Sequence, residues 1–500
     1  MSGPFGSNQL FGVAAADDAY TIDNSCIFDG VADYLTRTWT ASGNLTTYTV
    51  SFWMKRWAIT TAEQKVCMAR TIGGSNTTIC SFAASADAWV MADEGSGTPD
   101  VTTTALYRDV SAWYHFVFVW DTGNDTSSER IRLYVNGLRI TSFSAANYPS
   151  ADQDSIAWNV DTVVHRWAAH ALAGGPYSLS SVYLAECIML DGTAGTAATF
   201  GEFNSDGVWI PTDPSSLTFG SEGFWLDFED SSDLGKDVSG NGNDWTSVSM
   251  SASNQTLDSP TDSGTTIGNL AVWASNCNNR AAWTGSPSYL FSYSEGSRKV
   301  TAPSSVTAFT FATVGYNSDK VAFEITCNTT PASSSMGILT TQALGVAGDE
   351  PGSHSGEYGY RNDGQKRSDG SPATYGDAWS DGDIVRVEHD VSGGTIEYFL
   401  NDVSQGDAFT GVSATEGPWV FYYGGYNSEA VTLTRTDTPT TGFSYIGTQN
   451  LPAPTITKPT DNFLPIVYEG NGAGQRVGNF IPFTDTFAVD NSCMFKGESS

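Results

Sequence analysis

Short apolar runs alternate with polar residues along most of this chain at a period of two, the spacing of a strand with one face buried. Thr47-Tyr48-Thr49-Val50-Ser51-Phe52-Trp53-Met54 shows the alternation, and Trp113-Tyr114-His115-Phe116-Val117-Phe118-Val119-Trp120-Asp121 reads as a further strand. Ile131-Arg132-Leu133-Tyr134-Val135 runs into Asn136-Gly137, a pair that accepts positive φ and so predicts a tight hairpin. A stretch punctuated by Gly and Asp, Leu234 to Trp245, closes this region. Residues 246–265 are rich in Ser, Thr, Asn and Asp and read as a connector. Strand patterns resume at Leu270 and run to about Tyr445, among them Val321 to Ile325, Ile384 to Glu388 and Thr395 to Asn401. Pro452, Pro454 and Pro459 then mark an extended stretch. The pattern predicts an all-β chain: an N-terminal arm (1–18), a first sandwich (19–245), the connector (246–265), a second sandwich (266–447) and an extended tail (448–500).

Composition agrees. Glycine supplies 51 of the 500 residues, only 16% are charged, and no window sustains heptads, which favours turns and short strands over helices. The 55 acidic against 23 basic residues leave a formal net charge of −32. Such a surface repels phosphate backbones and anionic headgroups, so nucleic-acid binding is not expected. No apolar run approaches the roughly 20 residues that span a bilayer, so no membrane insertion is expected. Met1 to Ala16 lacks the basic and apolar blocks of a signal peptide. The seven cysteines are scattered with no CxxC, and several sit in apolar runs; buried reduced thiols are expected.

The tail repeats the head. Tyr20-Thr21-Ile22-Asp23-Asn24-Ser25-Cys26-Ile27-Phe28-Asp29-Gly30 aligns without a gap with Phe487-Ala488-Val489-Asp490-Asn491-Ser492-Cys493-Met494-Phe495-Lys496-Gly497. Two readings stay open: the lead-in strand of a truncated modular array, or a strand that adds to the first sandwich of a neighbouring subunit.

Three resemblances rest on specific runs. Phe28-Asp29-Gly30 with Asp33-Tyr34-Leu35, Val50-Ser51-Phe52-Trp53, Trp113-Tyr114-His115-Phe116 with Asp121, and Leu133-Tyr134-Val135-Asn136-Gly137 together resemble a laminin-G-like, concanavalin A-type jelly roll. Trp379-Ser380-Asp381-Gly382-Asp383-Ile384-Val385, followed by Gly394 to Asn401 and Gly406-Asp407-Ala408-Phe409, resembles a SPRY domain. That family's Asn-Gly turn is here Asn401-Asp402, so a different turn is open. Leu184-Ala185-Glu186 with Asp191-Gly192, Gly207 to Pro211 and Asp237 to Trp245 are similar to virion proteins of marine bacteriophages. The resemblances imply two antiparallel jelly-roll sandwiches in series whose loops, rather than strands, contact partners.

Candidate chemistry is sparse. Glycosidases on this fold carry a Glu-x-Asp-x-x-Glu strand, which is absent; the nearest cluster is Asp227-Phe228-Glu229-Asp230, with Asp227 and Glu229 expected on one face. His165 and His170 do not have the spacing of HExxH, and His115 sits within a strand. No Gly-x-Ser-x-Gly elbow, phosphate loop or paired-cysteine site appears. Flat aromatic faces suit sugars or partner chains. His354, Tyr360, Arg361, Trp419, Tyr422 and Tyr426 are therefore candidate ligand contacts, expected on loops at one end of the second sandwich. Asp121, Asn124 and Asp125 offer oxygen ligands for Ca²⁺ as a cofactor, with a solvated hairpin turn as the alternative. Glycosylation-type triplets at Asn44, Asn76, Asn124, Asn254 and Asn328 are what so Asn/Thr-rich a chain produces by accident.

The expectation is a non-enzymatic virion structural protein, a tail fibre, appendage or capsid-surface decoration. It would assemble in a host cytoplasm with other virion proteins and with itself, as a trimer or another homo-oligomer, and adhere to a bacterial surface glycan. A polysaccharide depolymerase and an intracellular protein–protein adaptor are the alternatives.

Overall fold

The computed structural model describes residues 20–446 apart from 85–86, 95–99, 111, 172–174, 205–208, 262–270, 274–290, 305–306, 317–319 and 341–351. The arm (1–18) and the tail (448–500) with its repeat lie outside the described residues. Among those described, the helical segments are short 3₁₀ turns and everything else regular is strand. The chain divides into two compact units between residues 269 and 270.

The first unit packs two antiparallel sheets face to face. One runs, in spatial order, Leu138–Arg139, Ile131–Val135, Trp113–Asp121, Thr47–Arg56, Ser181–Asp191, Ser25–Asp29 and Gln255–Thr256, with Phe224–Leu226 also paired to Ser181–Asp191. The other runs Phe143–Asn147, Asp100–Leu106, Ala88–Glu94, Thr77–Phe82, Gln64–Arg70, Val164–Trp167, Tyr34–Thr38 and Thr246–Val248. Between them lies an aromatic core that includes Trp39, Phe52, Trp89, Phe116, Trp158 and Trp167.

The connector reading fails for the start of 246–265. Thr246–Val248 pairs with Tyr34–Thr38, and Gln255–Thr256 pairs with the opening strand. Polar composition marked a loop, but each of these short strands pairs on one side only and needs no apolar face of its own. The half-buried reading of Thr47–Arg56 also needs correction, because nearly the whole strand is buried. Its outer face lies under further chain that includes the hairpin Gly201–Phe203/Trp209–Pro211, and Val117, Val119, Ile188 and Leu190 of the two flanking strands form a smaller outer cluster with Phe200 and Phe219. The Asn136-Gly137 hairpin is present, with φ of 48° and 81°. A Cβ on Gly137 would fall 2.3 Å from the Trp209 ring, so glycine is required there for space as well as for φ.

The second unit is also two antiparallel sheets, apart from one parallel pairing. One runs Ser292–Ser294, Lys299–Thr301, Ala430–Leu433, Lys320–Cys327, Ile384–Asp390, Thr395–Leu400 and Val403–Thr410, with Ser444–Tyr445 pairing in parallel to Lys320–Cys327. The other runs Ala308–Tyr316, Trp419–Gly425, Ser335–Thr340, Glu357–Arg361, Gln365–Ser368 and Ser371–Thr374. Phe323 stacks on Phe421 across the core at 4.8 Å between centroids. Asn401 and Asp402 take φ of 50° and 62°, so this turn keeps the two-residue geometry despite lacking glycine. Asn401 holds it by accepting from the Ile384 N–H (2.9 Å) and donating to Asp383 (2.8 Å). All five described cysteines are buried and free.

Candidate binding site

At one end of the second sandwich, strand Lys320–Cys327 leaves its sheet and the chain turns into Ser335–Thr340. Glu429, just ahead of Ala430–Leu433, is only 2% exposed. Its carboxylate accepts from the backbone N–H groups of Ala332, Ser333 (2.8 Å) and Tyr426 (2.8 Å), and from the Ser334 hydroxyl. A buried carboxylate is costly unless its lone pairs are filled. Here four donors fill them, and the same bonds fix two loops, 328–334 and 426–429. Asn362 braces the first, accepting from the Ser334 N–H (3.0 Å) and donating to the Pro331 carbonyl (3.3 Å). Asn427 and Ser428 hold φ of 57° and 65° at the tip of the second.

Arg361 is the register partner of Ser335 and so belongs to this end of the sheet. Its guanidinium is partly exposed and lies 3.4 Å from Asp363. Tyr426 is half-buried, while Asn328, Thr330, Ala332, Asn427 and Ser428 are exposed. The rim therefore offers one cation, one aromatic face and many amide and hydroxyl groups on pre-fixed backbone. That set suits a hydroxyl-rich or peptide partner.

The six candidate ligand contacts do not cluster. Tyr360, Trp419 and Tyr422 are core residues at 0%, 0% and 1% exposure. Trp419 meets His389 edge-on at 5.0 Å, Tyr422 stacks on Phe311 at 6.3 Å, and the Tyr360 hydroxyl donates to the Asp377 carbonyl. Trp419 opposes Thr340 and Gly424 opposes Ser335, so Trp419 and Tyr426 mark opposite ends of the sandwich, roughly 23 Å apart at strand rise. His354 is at the Trp419 end, its Nδ1 3.6 Å from Glu357. Arg361 and Tyr426 alone share a rim. Glu429, which builds that rim, was not a candidate: its partners are backbone groups distant in sequence, and no local motif marks it.

The Asp121 to Asp125 loop is a hairpin turn braced by arginines. Asp121 pairs with Arg132 at 3.0 Å, Asn124 Oδ1 accepts from the Thr126 N–H at 3.0 Å, and Arg130 donates to the Asn124 carbonyl at 2.9 Å. Guanidinium groups thus engage Asp121 and the backbone carbonyls of Asn124 and Asp125, the arrangement of a braced hairpin turn. Among the described residues no group of three or more His, Cys, Asp or Glu is placed to hold a metal ion.

The acids read as a strand pair are also rearranged. The strand ends at Leu226, and Phe228 at φ 60° breaks the alternation that would align Asp227 with Glu229. Asp227 instead caps the Glu229 N–H at 3.1 Å. A buried Ser51–His115 pair at 2.8 Å has the outline of a nucleophile and base. Its tautomer works against that role. Trp209 Nε1 donates to His115 Nδ1 at 3.0 Å, and indole N–H is donor only. The ring proton therefore sits on Nε2 and points at Ser51, leaving no lone pair there to accept the serine proton.

Among the described residues, the titratable group furthest displaced into the neutral range is Glu186, at φ 48° where the register of Ser181–Asp191 slips. Burial pushes its carboxyl up to about 8, against hydrogen bonds from Tyr20 (3.0 Å) and Trp225 (2.6 Å). Between the ordinary 4.5 and about 8 the folded chain keeps a proton that the unfolded chain has lost. This contribution to stability is full below pH 4.5 and is lost as pH rises through about 8. His115, His165 and His389 run the other way. Burial pushes each from 6.5 down to about 3, so their contribution is full above 6.5 and is lost as pH falls towards 3. Thermal unfolding of Glu186→Gln is expected to cross the wild-type curve. The variant should be less stable at pH 5, where the amide offers one acceptor to two donors, and more stable at pH 8.5. A constant offset at both values would show that Glu186 is not the alkaline-sensitive group.

Residues 29–167 match the family described as the concanavalin A-like lectin/glucanases superfamily, and residues 320–435 match the SPRY domain family. The chain thus carries a concanavalin A-like domain followed by a SPRY domain. Among solved structures it is similar to the SPRY domain of human HERC1 (18% identity, 28% of this chain and 91% of that one, TM-score 0.25). It is also similar to a heptameric SAP-like pentraxin from Limulus polyphemus (16% identity, 36% and 80%, TM-score 0.27). A comparison with curated proteins gives no match. No helix among the described residues is long and apolar enough to cross a membrane.

Proposed function

We propose that this chain is a non-enzymatic adhesion component of a virion, a tail fibre, appendage or surface decoration, and that it holds a bacterial surface glycan through the rim built on Glu429. The observation that carries the binding role is the pair of loops fixed by that buried carboxylate, with Arg361 and Tyr426 on the same rim. A rim ordered before binding avoids the entropy of ordering loops during it. The virion setting is supported by the runs at Leu184-Ala185-Glu186, Gly207 to Pro211 and Asp237 to Trp245, and the non-enzymatic reading by the tautomer of His115.

Host polysaccharide on a glycan-capture surface is the direct test. Tyr426→Ala and Arg361→Ala are each expected to weaken capture about tenfold or more, the scale of a lost central contact. His354→Ala, at the other end of the sandwich, should leave it unchanged. Equal binding by all three variants would remove the rim from the proposal. Release of reducing sugar would favour the depolymerase, and absence of the chain from purified particles by immunogold labelling would end the virion reading.

A further inference from the structure

The opening strand Ser25–Asp29 lies between Ser181–Asp191 and Gln255–Thr256. Ile22, Ser25, Cys26, Ile27 and Phe28 are all 3% exposed or less. Cys26 and Phe28 belong to the main core, and the Ser25 hydroxyl donates to the Asp258 carbonyl at 2.5 Å. The second copy of this segment, residues 487–497, repeats the buried positions in kind: Val489, Ser492, Cys493, Met494 and Phe495 stand in register for those five. That order of apolar and small polar residues is the one the opening-strand slot reads. We propose that residues 487–497 fill the opening-strand slot in the first sandwich of another copy of this chain, coupling copies by strand exchange.

The differences between the two segments also make sense in that role. Phe487 lacks the hydroxyl that Tyr20 gives to Glu186. Lys496 replaces Asp29, whose Oδ1 caps the N–H groups of Val31, Ala32 and Asp33. The tail segment is therefore the weaker occupant, and a chain in dilute solution keeps its own strand. Exchange is favoured where copies are held at high effective concentration, as in an assembly. Residues 447–486 give a contour of up to roughly 130 Å, ample to reach a neighbour. This inference deepens the assembly part of the reading above, and its test uses no glycan, so either can fail without the other.

Phe28→Asp in the full chain weakens the resident strand. A synthetic peptide of residues 485–497 is expected to bind this variant saturably and raise its Tm by on the order of 5 °C; the same peptide carrying Phe495→Asp should do neither. Light scattering should show Phe28→Asp chains associating, and the Phe28→Asp/Phe495→Asp double variant not. If the single variant does not fold alone, recovery of native tryptophan fluorescence on refolding with the peptide supports exchange. Failure of the peptide to bind or rescue, or the same mass for single and double variants, overturns it.

Discussion

Replacing Arg386 with alanine is expected to lower the stability of the second sandwich by about 3–5 kcal/mol, the cost of breaking a buried ion pair from one side. Arg386 is 1% exposed and lies on the outer face of Ile384–Asp390. Its guanidinium reaches Glu388 at 3.1 Å, Asp402 at 2.9 Å and Asp437 at 3.4 Å, and sits 4.3 Å above the Phe399 ring. Without it, the Glu388 carboxylate stays under the chain that follows Leu433, accepting from the Thr440 N–H at 2.8 Å. That covering stretch is itself pinned by Glu324, which accepts from the Thr436 and Asp437 N–H groups and from the Tyr445 hydroxyl (2.6 Å). Arg386→Met keeps the contact with Phe399 but still strands Glu388, so it should be nearly as damaging. Arg386→Met/Glu388→Leu should recover most of the loss. Asp402→Asn touches the same guanidinium from a side chain 58% exposed and should change little. Denaturant unfolding followed by tryptophan fluorescence separates these outcomes, fitted with one transition per sandwich. A small effect of Arg386→Ala would mean that water reaches Glu388.

The same residues show what the sequence could and could not convey. Val385-Arg386-Val387-Glu388 alternates, and its apolar half, Val385 and Val387, does face the core. Read locally, the charged half belongs in solvent. Residues some fifty positions later cover it, and nothing near Arg386 announces them. Thr47–Arg56 repeats the lesson, since Ser51 and Lys55 look solvent-facing until the outer layer is placed over them. Periodicity reports that a strand has two unlike faces; it does not report whether the polar face is covered. Turn chemistry was more legible, because Asn136-Gly137 and Asn401-Asp402 act through their own φ and their own side chains. The candidate ligand contacts were legible only in part. Arg361 ends its strand, Tyr426 follows the end of another, and both reach a rim, whereas Trp419 and Tyr422 belong to a strand flanked on both sides. Aromatic residues that could stack on a ligand and those that fill a core have the same composition, and register alone separates them.

Lys55→Met is the counterpart in the first sandwich, with an expected loss of about 3–5 kcal/mol for the same reason. Lys55 is fully buried, and its Nζ lies 2.6 Å from Asp258, a side chain only 3% exposed. Trp113 Nε1 adds a bond to the other carboxylate oxygen at 3.2 Å, and the Asp258 carbonyl receives the Ser25 hydroxyl. One aspartate thus joins the central strand, its neighbour and the opening strand from a segment whose composition reads as linker. If residues 246–261 were only a tether, removing Lys55 would cost no more than a surface pair. The Lys236–Asp230 pair, 51% and 38% exposed, is that comparison, and Lys236→Met should leave unfolding unchanged. Lys55→Met/Asp258→Leu should restore much of the loss by removing the stranded charge, although the Trp113 bond goes with it. The single variant should also become sensitive to limited proteolysis after Trp245, because the segment is released before the core unfolds. Protection equal to wild type, together with an unchanged unfolding midpoint, would return residues 246–261 to the status of a linker.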